Sequence, residues 1–219
     1  GQFIESNKIG IGAVIQIIRS GDVIPHIKSV TTPAERAKMP DVAYTWTKNH
    51  VDIVLENVEE DVTVRRKNIT EFFKWLEVDG LSGKTVEKIM EAGFDTVFKI
   101  IGATVEQLSN IDRLGNKSAE RIYNNIRSGL DSASQADILG ASGVFGYGIN
   151  SKKVEKLLIA IPELLSLRRV DDDELLERVK KAEGFSTKTA TGIVQNLQKA
   201  IEFMAELKKV YNKVVGAEE

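Results

Sequence analysis

The chain has 219 residues, 30 lysines and arginines against 32 aspartates and glutamates, and no cysteine. Its length carries one or two domains with cores of their own, and a composition 42% hydrophobic and 28% charged is that of an ordinary globular protein. The missing cysteines exclude disulfides and thiolate metal sites, the two histidines (His26 and His50) exclude a closed zinc site of the Cys/His kind, and a net charge of −2 excludes a bulk polycation. Any hold on nucleic acid therefore has to come from local geometry. No apolar run approaches the roughly 20 residues of a membrane span. No signal-peptide pattern is present, and Gly1 in the place of Met reads as a cleaved tag or a processed start. A cytoplasmic location fits a cysteine-free chain best.

Residues 3 to 30 read as β-structure. Gly10-Ile11-Gly12 marks a turn, Ala13 to Arg19 is a β-branched run, Ser20-Gly21-Asp22 marks a second turn, and Val23 to Val30 is a second strand broken by Pro25. Two or three short strands do not make an independently stable sheet. The segment is expected to be the end of a small barrel, with an unpaired edge near residues 3 to 18 that calls for complementation or leads to self-association. Thr31 to Pro40 reads as a linker that starts a short helix at Ala34, Tyr44 to Leu55 as a third extended stretch, and Glu56 to Asp61 as an acidic, solvated loop.

From Arg65 the apolar period becomes helical. Ile69, Phe72, Phe73, Leu76 and Val78 fall at core spacing, as do Val86, Ile89 and Met90, then Val97, Ile100 and Ile101, then Ile122 and Ile126. Thr104 with Gln107 has the form of a capping box. Thr187 to Val215 reads as one long helix facing inward with Ile193, Val194, Leu197, Ile201, Met204, Leu207 and Val210. The expected fold class is mainly α with a small β part.

One phrase recurs four times in the helical half: Leu-Ser-Gly-Lys from Leu81, Leu-Gly-Asn-Lys from Leu114, Ile-Asn-Ser-Lys from Ile149 and Phe-Ser-Thr-Lys from Phe185. The starts lie 33, 35 and 36 residues apart, the mark of one supersecondary unit used repeatedly. Gly80, Arg113, Gly148 and Gly184 precede the four copies, and the lysines are Lys84, Lys117, Lys152 and Lys188. Each copy reads as a first helix ending just before the glycine position, a turn of three or four residues, and a second helix beginning near the lysine. Glycine lets the turn take positive φ and come close to a ligand. The first N–H groups of the second helix lack intrahelical partners and carry partial positive charge, so an anion fits there with a lysine beside it. Such contacts hold a phosphate and carry no base information.

The repeated turn resembles the helix-hairpin-helix motif of DNA repair and ligation proteins, whose turn reads Gly-hydrophobic-Gly. Each copy keeps one of the two glycines. Gly80, Gly148 and Gly184 are kept where Ser82, Asn150 and Ser186 stand for the second; in the second copy Arg113 stands for the first and Gly115 is kept. Small polar residues still permit tight turns. The resemblance implies DNA contacts from Gly80, Ser82, Gly83 and Lys84, from Arg113, Gly115, Asn116 and Lys117, from Gly148, Asn150, Ser151 and Lys152, and from Gly184, Ser186, Thr187 and Lys188.

The stretch from Ile11 to Pro25 resembles the end of the OB-fold domain of NAD-dependent DNA ligases, and its Arg-x-Gly-Asp-Val-Ile-Pro string (Arg19 to Pro25) is similar to that family's last nucleotidyltransferase motif. Val78-Asp79-Gly80-Leu81-Ser82 is similar to the family's first hairpin, and Leu114 to Glu120 to its second. The resemblance implies that residues 1–32 are the end of the OB fold, 33–66 a linker or extended segment in place of the family's four-cysteine zinc module, and 67–215 the helix-hairpin-helix DNA-binding domain. The cysteine-free Tyr44 to Arg66 matches the reduced ligases of some viruses and bacteriophages. On this resemblance no BRCT domain is expected after the last helix, and the adenylation domain with its catalytic lysine is expected to lie outside the chain. The implied role is to clamp nicked duplex DNA for sealing in replication and repair, with the adenylation half in cis or on a separate polypeptide. NAD and Mg²⁺ would serve the whole ligase, none bound by this chain, and no zinc; the chain alone would be inactive. The location would be bacterial cytoplasm, or a host cell if the protein is viral.

The resemblance places Arg19 near the nucleotide or the nick; a salt-bridged strand arginine is the other reading. Gly21 and Asp22 shape a turn, Val23, Ile24 and Pro25 are packing and turn residues, and His26 is an exposed or lightly packed histidine. Trp46 and Trp75 read as core. Arg65-Arg66-Lys67 is a basic run that touches the DNA backbone or starts a solvated helix. Arg168-Arg169 followed by Asp171-Asp172-Asp173-Glu174 reads as charge balance and helix capping rather than a metal site, and Gly146-Tyr147-Gly148 fits the third turn. Two other functions stay open: a helix-hairpin-helix accessory module of a repair or recombination complex without ligase activity, and an α-helical protein-interaction scaffold.

Overall fold

The β-branched run pairs back on itself. β1 (Val14–Ser20) and β2 (Ile24–Thr32) form an antiparallel two-stranded sheet with Ile17 opposite Ile27 and Arg19 opposite Pro25. Pro25 lies inside β2 and does not break it; a two-stranded sheet is all edge, where proline is tolerated. The computed structural model describes residues 1–20, 24–57, 61–167 and 171–212, so Gly21, Asp22 and Val23 of the motif string, the middle of the acidic loop and Arg168-Arg169 lie outside the described residues; the last helix, expected to run to Val215, ends at Val210, where Tyr211 turns to extended backbone. Contacts divide the chain into two units, residues 1–61 and 62–219.

In the first unit the expectation of β-structure from residue 3 is corrected by a short helix, α1 (Gln2–Ser6). Alternation stops at Glu5-Ser6-Asn7, and the Asn7 side-chain amide donates to the Phe3 carbonyl at 2.9 Å. No helix starts at Ala34. The backbone there is drawn onto the N-terminal segment, with Ala34 N–H donating to Lys8 O and Lys38 N–H to Ile9 O, both at 2.9 Å. A Cβ on Gly10 would stand 2.3 Å from Arg36 O, so only glycine allows this approach. The stretch from Tyr44 to Leu55 is a hairpin, β3 (Tyr44–Trp46) against β4 (Ile53–Leu55). Thr47 and Asn49 tie its turn, and His50 at φ +55 turns the chain. His50 stacks on Trp46 with ring centroids 3.9 Å apart and faces the Glu5 carboxylate at 3.6 Å. No described side chain of this unit is buried, Trp46 included, and Val14, Ile17, Ile18 and Ile24 of the sheet are exposed.

The second unit is helical. It begins with α2 (Val62–Trp75), three residues before Arg65, followed by α3 (Gly83–Glu91), α4 (Val97–Gly102), α5 (Val105–Ser109), α6 (Asn116–Ser132), α7 (Gln135–Ser142), α8 (Ser151–Ala160), a 3-10 turn at Leu164–Ser166, α9 (Asp172–Lys181) and α10 (Thr187–Val210). None of the described helices is long and apolar enough to cross a membrane. The core is one cluster. Ile69, Phe72, Phe73, Leu76 and Val78 are buried, with Phe72 edge-on to Phe73 at 5.2 Å. Val86, Ile89, Ile100, Ile101, Ile122 and Ile126 are buried too, while Met90 and Val97 pack at its margin. Thr104 and Gln107 form the expected capping box, Gln107 N–H donating to Thr104 Oγ1 at 3.1 Å and Thr104 N–H to Gln107 Oε1 at 2.9 Å. Ser134 and Asp137 form a second box on α7.

The end of α10 is tied to α6. The Tyr211 hydroxyl donates to the Asp131 carboxylate, and the Arg127 guanidinium lies 3.4 Å over the Tyr123 ring. Burial first, then the bond to Asp131, pushes the Tyr211 pKa from 10.0 to about 12. The fold thus favours the neutral phenol, and this contribution is complete below pH 10 and lost as pH rises through about 12. The melting-temperature gap between wild type and Tyr211→Phe, followed by circular dichroism, is expected to close across that range; a gap independent of pH would show that folding does not raise the Tyr211 pKa.

Candidate nucleic-acid interface

The four repeated phrases adopt one backbone conformation. The residue at the glycine position has positive φ in every copy: Gly80 +92°, Arg113 +61°, Gly148 +82° and Gly184 +91°. The next residue is an apolar anchor, and Leu81, Leu114, Ile149 and Phe185 are all buried. Then comes the N-cap with extended backbone, Ser82, Gly115, Asn150 and Ser186. The lysine is the second residue of the helix that follows: Lys84 in α3, Lys117 in α6, Lys152 in α8 and Lys188 in α10. The anchor fixes the turn to the core, the positive φ reverses the chain, and the cap aims the helix start outward.

Three of the caps use their side chains. Ser82 Oγ accepts from Thr85 N–H at 3.4 Å, Asn150 Oδ1 from Lys153 N–H at 3.1 Å and Ser186 Oγ from Thr189 N–H at 3.3 Å. Each bond occupies the third helical amide and leaves the first two for a ligand. Gly115 has no side chain to cap with. Arg113 holds a left-handed conformation that costs an L-residue about 1–2 kcal/mol. Gly83, Asn116, Ser151 and Thr187 are the first helical residues. All four lysines are exposed and form no ion pair with described residues, so their charge is available to a phosphate.

The links between helices are longer than three or four residues. They run over 76–82, 110–115, 143–150 and 182–186, because each first helix stops early and the intervening residues reach the core, as Leu76 and Val78 do. The connected pairs are α2 with α3, α5 with α6, α7 with α8, and α9 with α10. Gly140 of α7 lets α8 pass closely: a Cβ there would stand 2.4 Å from Ser151 N. Gly129 of α6 does the same for the first link, its Cβ position being 2.8 Å from Leu76 O.

Other candidate residues stand elsewhere. Arg65 and Arg66 lie within α2 and are held by acids of the same unit, Arg65 by Asp95 at 3.1 Å and Arg66 by Glu87 at 2.7 Å. They brace α2 rather than start it. A bond from Lys99, with Arg65 nearby, lowers the Asp95 pKa. Asp171 caps α9, accepting from Asp173 N–H at 2.8 Å, with Asp172, Asp173 and Glu174 in the first turn, where the helix dipole favours negative charge. No cluster of described His, Asp and Glu could hold a metal ion. Arg19 is exposed on β1 opposite Pro25, and His26 is exposed on β2. Trp75, expected in the core, is 64% exposed at the end of α2. Tyr147 is fully exposed as well. The signal for Tyr147 is its place between Gly146 and Gly148, both at positive φ, where no helix can draw it inward.

Residues 73–128, which contain the first two turns, match the family model of a SAM-like helix-hairpin-helix tandem, so the helical unit carries a helix-hairpin-helix domain. Along nearly its whole length the chain is similar to one part of DNA ligases. It is 36% identical over 215 residues to a DNA ligase of Acanthamoeba polyphaga mimivirus, covering 98% of this chain and 33% of that protein. It is 34% identical over 167 residues to the putative DNA ligase 052L of Invertebrate iridescent virus 3 (76% of this chain, 22% of that protein) and 27% identical over 217 residues to a DNA ligase of Shewanella baltica (95% and 31%). The chain thus spans a third or less of the length of these relatives.

Proposed function

We propose that this chain is the C-terminal portion of an NAD-dependent DNA ligase and that it clamps nicked duplex DNA for sealing in replication and repair. The observation that carries the reading is the fourfold repetition of one turn, each copy presenting two open helix N-terminal amides and an exposed lysine with no ion pair among the described residues. Each turn holds one backbone phosphate, and together they hold the duplex across its minor groove without reading bases. Ser82, Gly83 and Lys84 act with Gly80 in the first turn; the equivalent residues act with Arg113, Gly148 and Gly184 in the others. Residues 1–32 serve as the end of an OB fold, with Arg19 turned to the nucleotide or the nick, and residues 33–66 stand in for a zinc module with the Trp46–His50 stack in place of metal. The partner is the adenylation half, in cis or as a second chain. NAD and Mg²⁺ serve that half: AMP passes from NAD to a lysine, then to the 5′-phosphate, and the 3′-hydroxyl displaces it.

The test is binding of labelled nicked duplexes of unrelated sequence at increasing salt. Affinities independent of sequence are expected, with log K falling against log salt by about 0.9 per phosphate held. A flat salt response counts against the clamp. Incubation with NAD should leave the chain without an adenylate, and a labelled adenylate on it would overturn the division of labour.

A further inference from the structure

Two large aromatic side chains of the helical unit stand in solvent on the walls of one cleft. Trp75 ends α2, and Tyr147, fully exposed, lies in the link between α7 and α8. The cleft, about 650 Å³, is also walled by Asn68, Gly146, Gly148 and Asn150. A Cβ on Gly146 or Gly148 would meet nothing within 4 Å, so the space before this backbone is open to a ligand. The cleft reaches the start of α8, since Asn150 and Ser151 are in its wall, and Lys152 is the next residue. Lys67 adds a second cation to the rim. Of the two carboxylates there, that of Asp137 accepts the Ser134 amide N–H at 2.9 Å, and Glu71 lies one helical turn from Lys67.

We infer that this cleft receives an unpaired nucleobase of a DNA strand whose phosphate rests on the third turn. The inference rests on the clamp proposed above and adds a substrate class to it: duplex with a displaced nucleotide beside the site of grip. Both halves of a nucleotide find their complement. The flat π face of the base finds two aromatic side chains in the cleft to stack on, and its phosphate has the open amides and Lys152. Asn68, and the Nδ2 of Asn150 whose Oδ1 caps α8, can meet the Watson–Crick edge of the base, which is accessible only when the base has left its pair. A peptide would use the aromatic rings but would have no use for an adjoining phosphate seat.

The test compares two labelled duplexes by anisotropy with the full chain, one nicked and fully paired, the other identical but carrying one unpaired nucleotide near the nick. Trp75→Ala and Tyr147→Ala are each expected to lower affinity for the second duplex about ten-fold and to leave the first unchanged, and Trp75→Phe and Tyr147→Phe to restore it. The phenylalanine variants separate lost stacking from lost folding. If the alanine variants hold both duplexes as wild type does, or weaken both equally, the inference is overturned. Lys152→Glu tests the grip separately. If it loosens the paired duplex while the aromatic variants change nothing, the clamp stands and the cleft belongs to a protein partner; if wild type binds neither duplex, both readings fall.

Discussion

Replacing Lys84, Lys117, Lys152 and Lys188 together by glutamate is expected to abolish retention of duplex DNA. A hydrogen bond to a charged group contributes about 1.5 kcal/mol or more, so losing four removes about 6 kcal/mol, about four orders of magnitude in affinity, before any repulsion is added. The salt slope should fall by about one for each lysine removed. Unfolding would not explain the loss. The four side chains are exposed and unpaired among described residues, and an acidic residue in the first turn of a helix is favoured by its dipole. A quadruple variant with an undiminished salt slope would show that the turns are not the phosphate seats and would favour a protein-binding scaffold.

Gly140→Ala is expected to be strongly destabilising. The new Cβ would stand 2.4 Å from Ser151 N, 2.7 Å from Ser151 Cα and 2.9 Å from Asn150 C. All three are backbone atoms, so no side-chain rotation relieves the clash and α7 and α8 must part. Overpacking of this kind costs about 3 kcal/mol, a large share of the roughly 5–15 kcal/mol that holds a domain folded. Because α8 carries Asn150 and Lys152, its displacement should weaken the third grip as well. Gly143→Ala is the control. Its φ is +65°, but its Cβ meets nothing within 4 Å, so only the backbone cost of about 1–2 kcal/mol applies. Equal melting temperatures for the two variants would contradict the close packing of α7 on α8.

The four turns were legible because their requirements are local. A residue able to reverse the chain, an apolar anchor, a cap and a lysine occupy fixed offsets, and Leu81, Leu114, Ile149 and Phe185 are buried as their place in the phrase demands. The same holds for Thr104 and Gln107, three residues apart. What was not legible depends on distant partners. Arg65 and Arg66 read as a free basic run because Asp95 and Glu87, which hold them, are 30 and 21 residues away. Trp75 follows Phe72 at helical spacing, yet α2 ends there and leaves it outside. The first unit misled for a related reason. Apolar residues in Gln2–Ser6 suggest a strand, but no sustained alternation backs them, and the 44–55 stretch conceals a turn at Thr47 to His50 whose only strong marker is Asn49.

The shared core beneath the turns has a consequence for selectivity. Leu81, Leu114, Ile149 and Phe185 belong to one buried cluster, so the seats above them keep fixed separations. Linked weak sites multiply their strengths only when all can engage at once, and the gain vanishes when geometry forbids it. A regular duplex that matches the spacing engages every seat, while a helix bent or interrupted in the wrong place engages fewer and dissociates faster. On the proposed clamp, the four turns, which hold phosphates and not bases, would still discriminate by the shape of their target, through avidity.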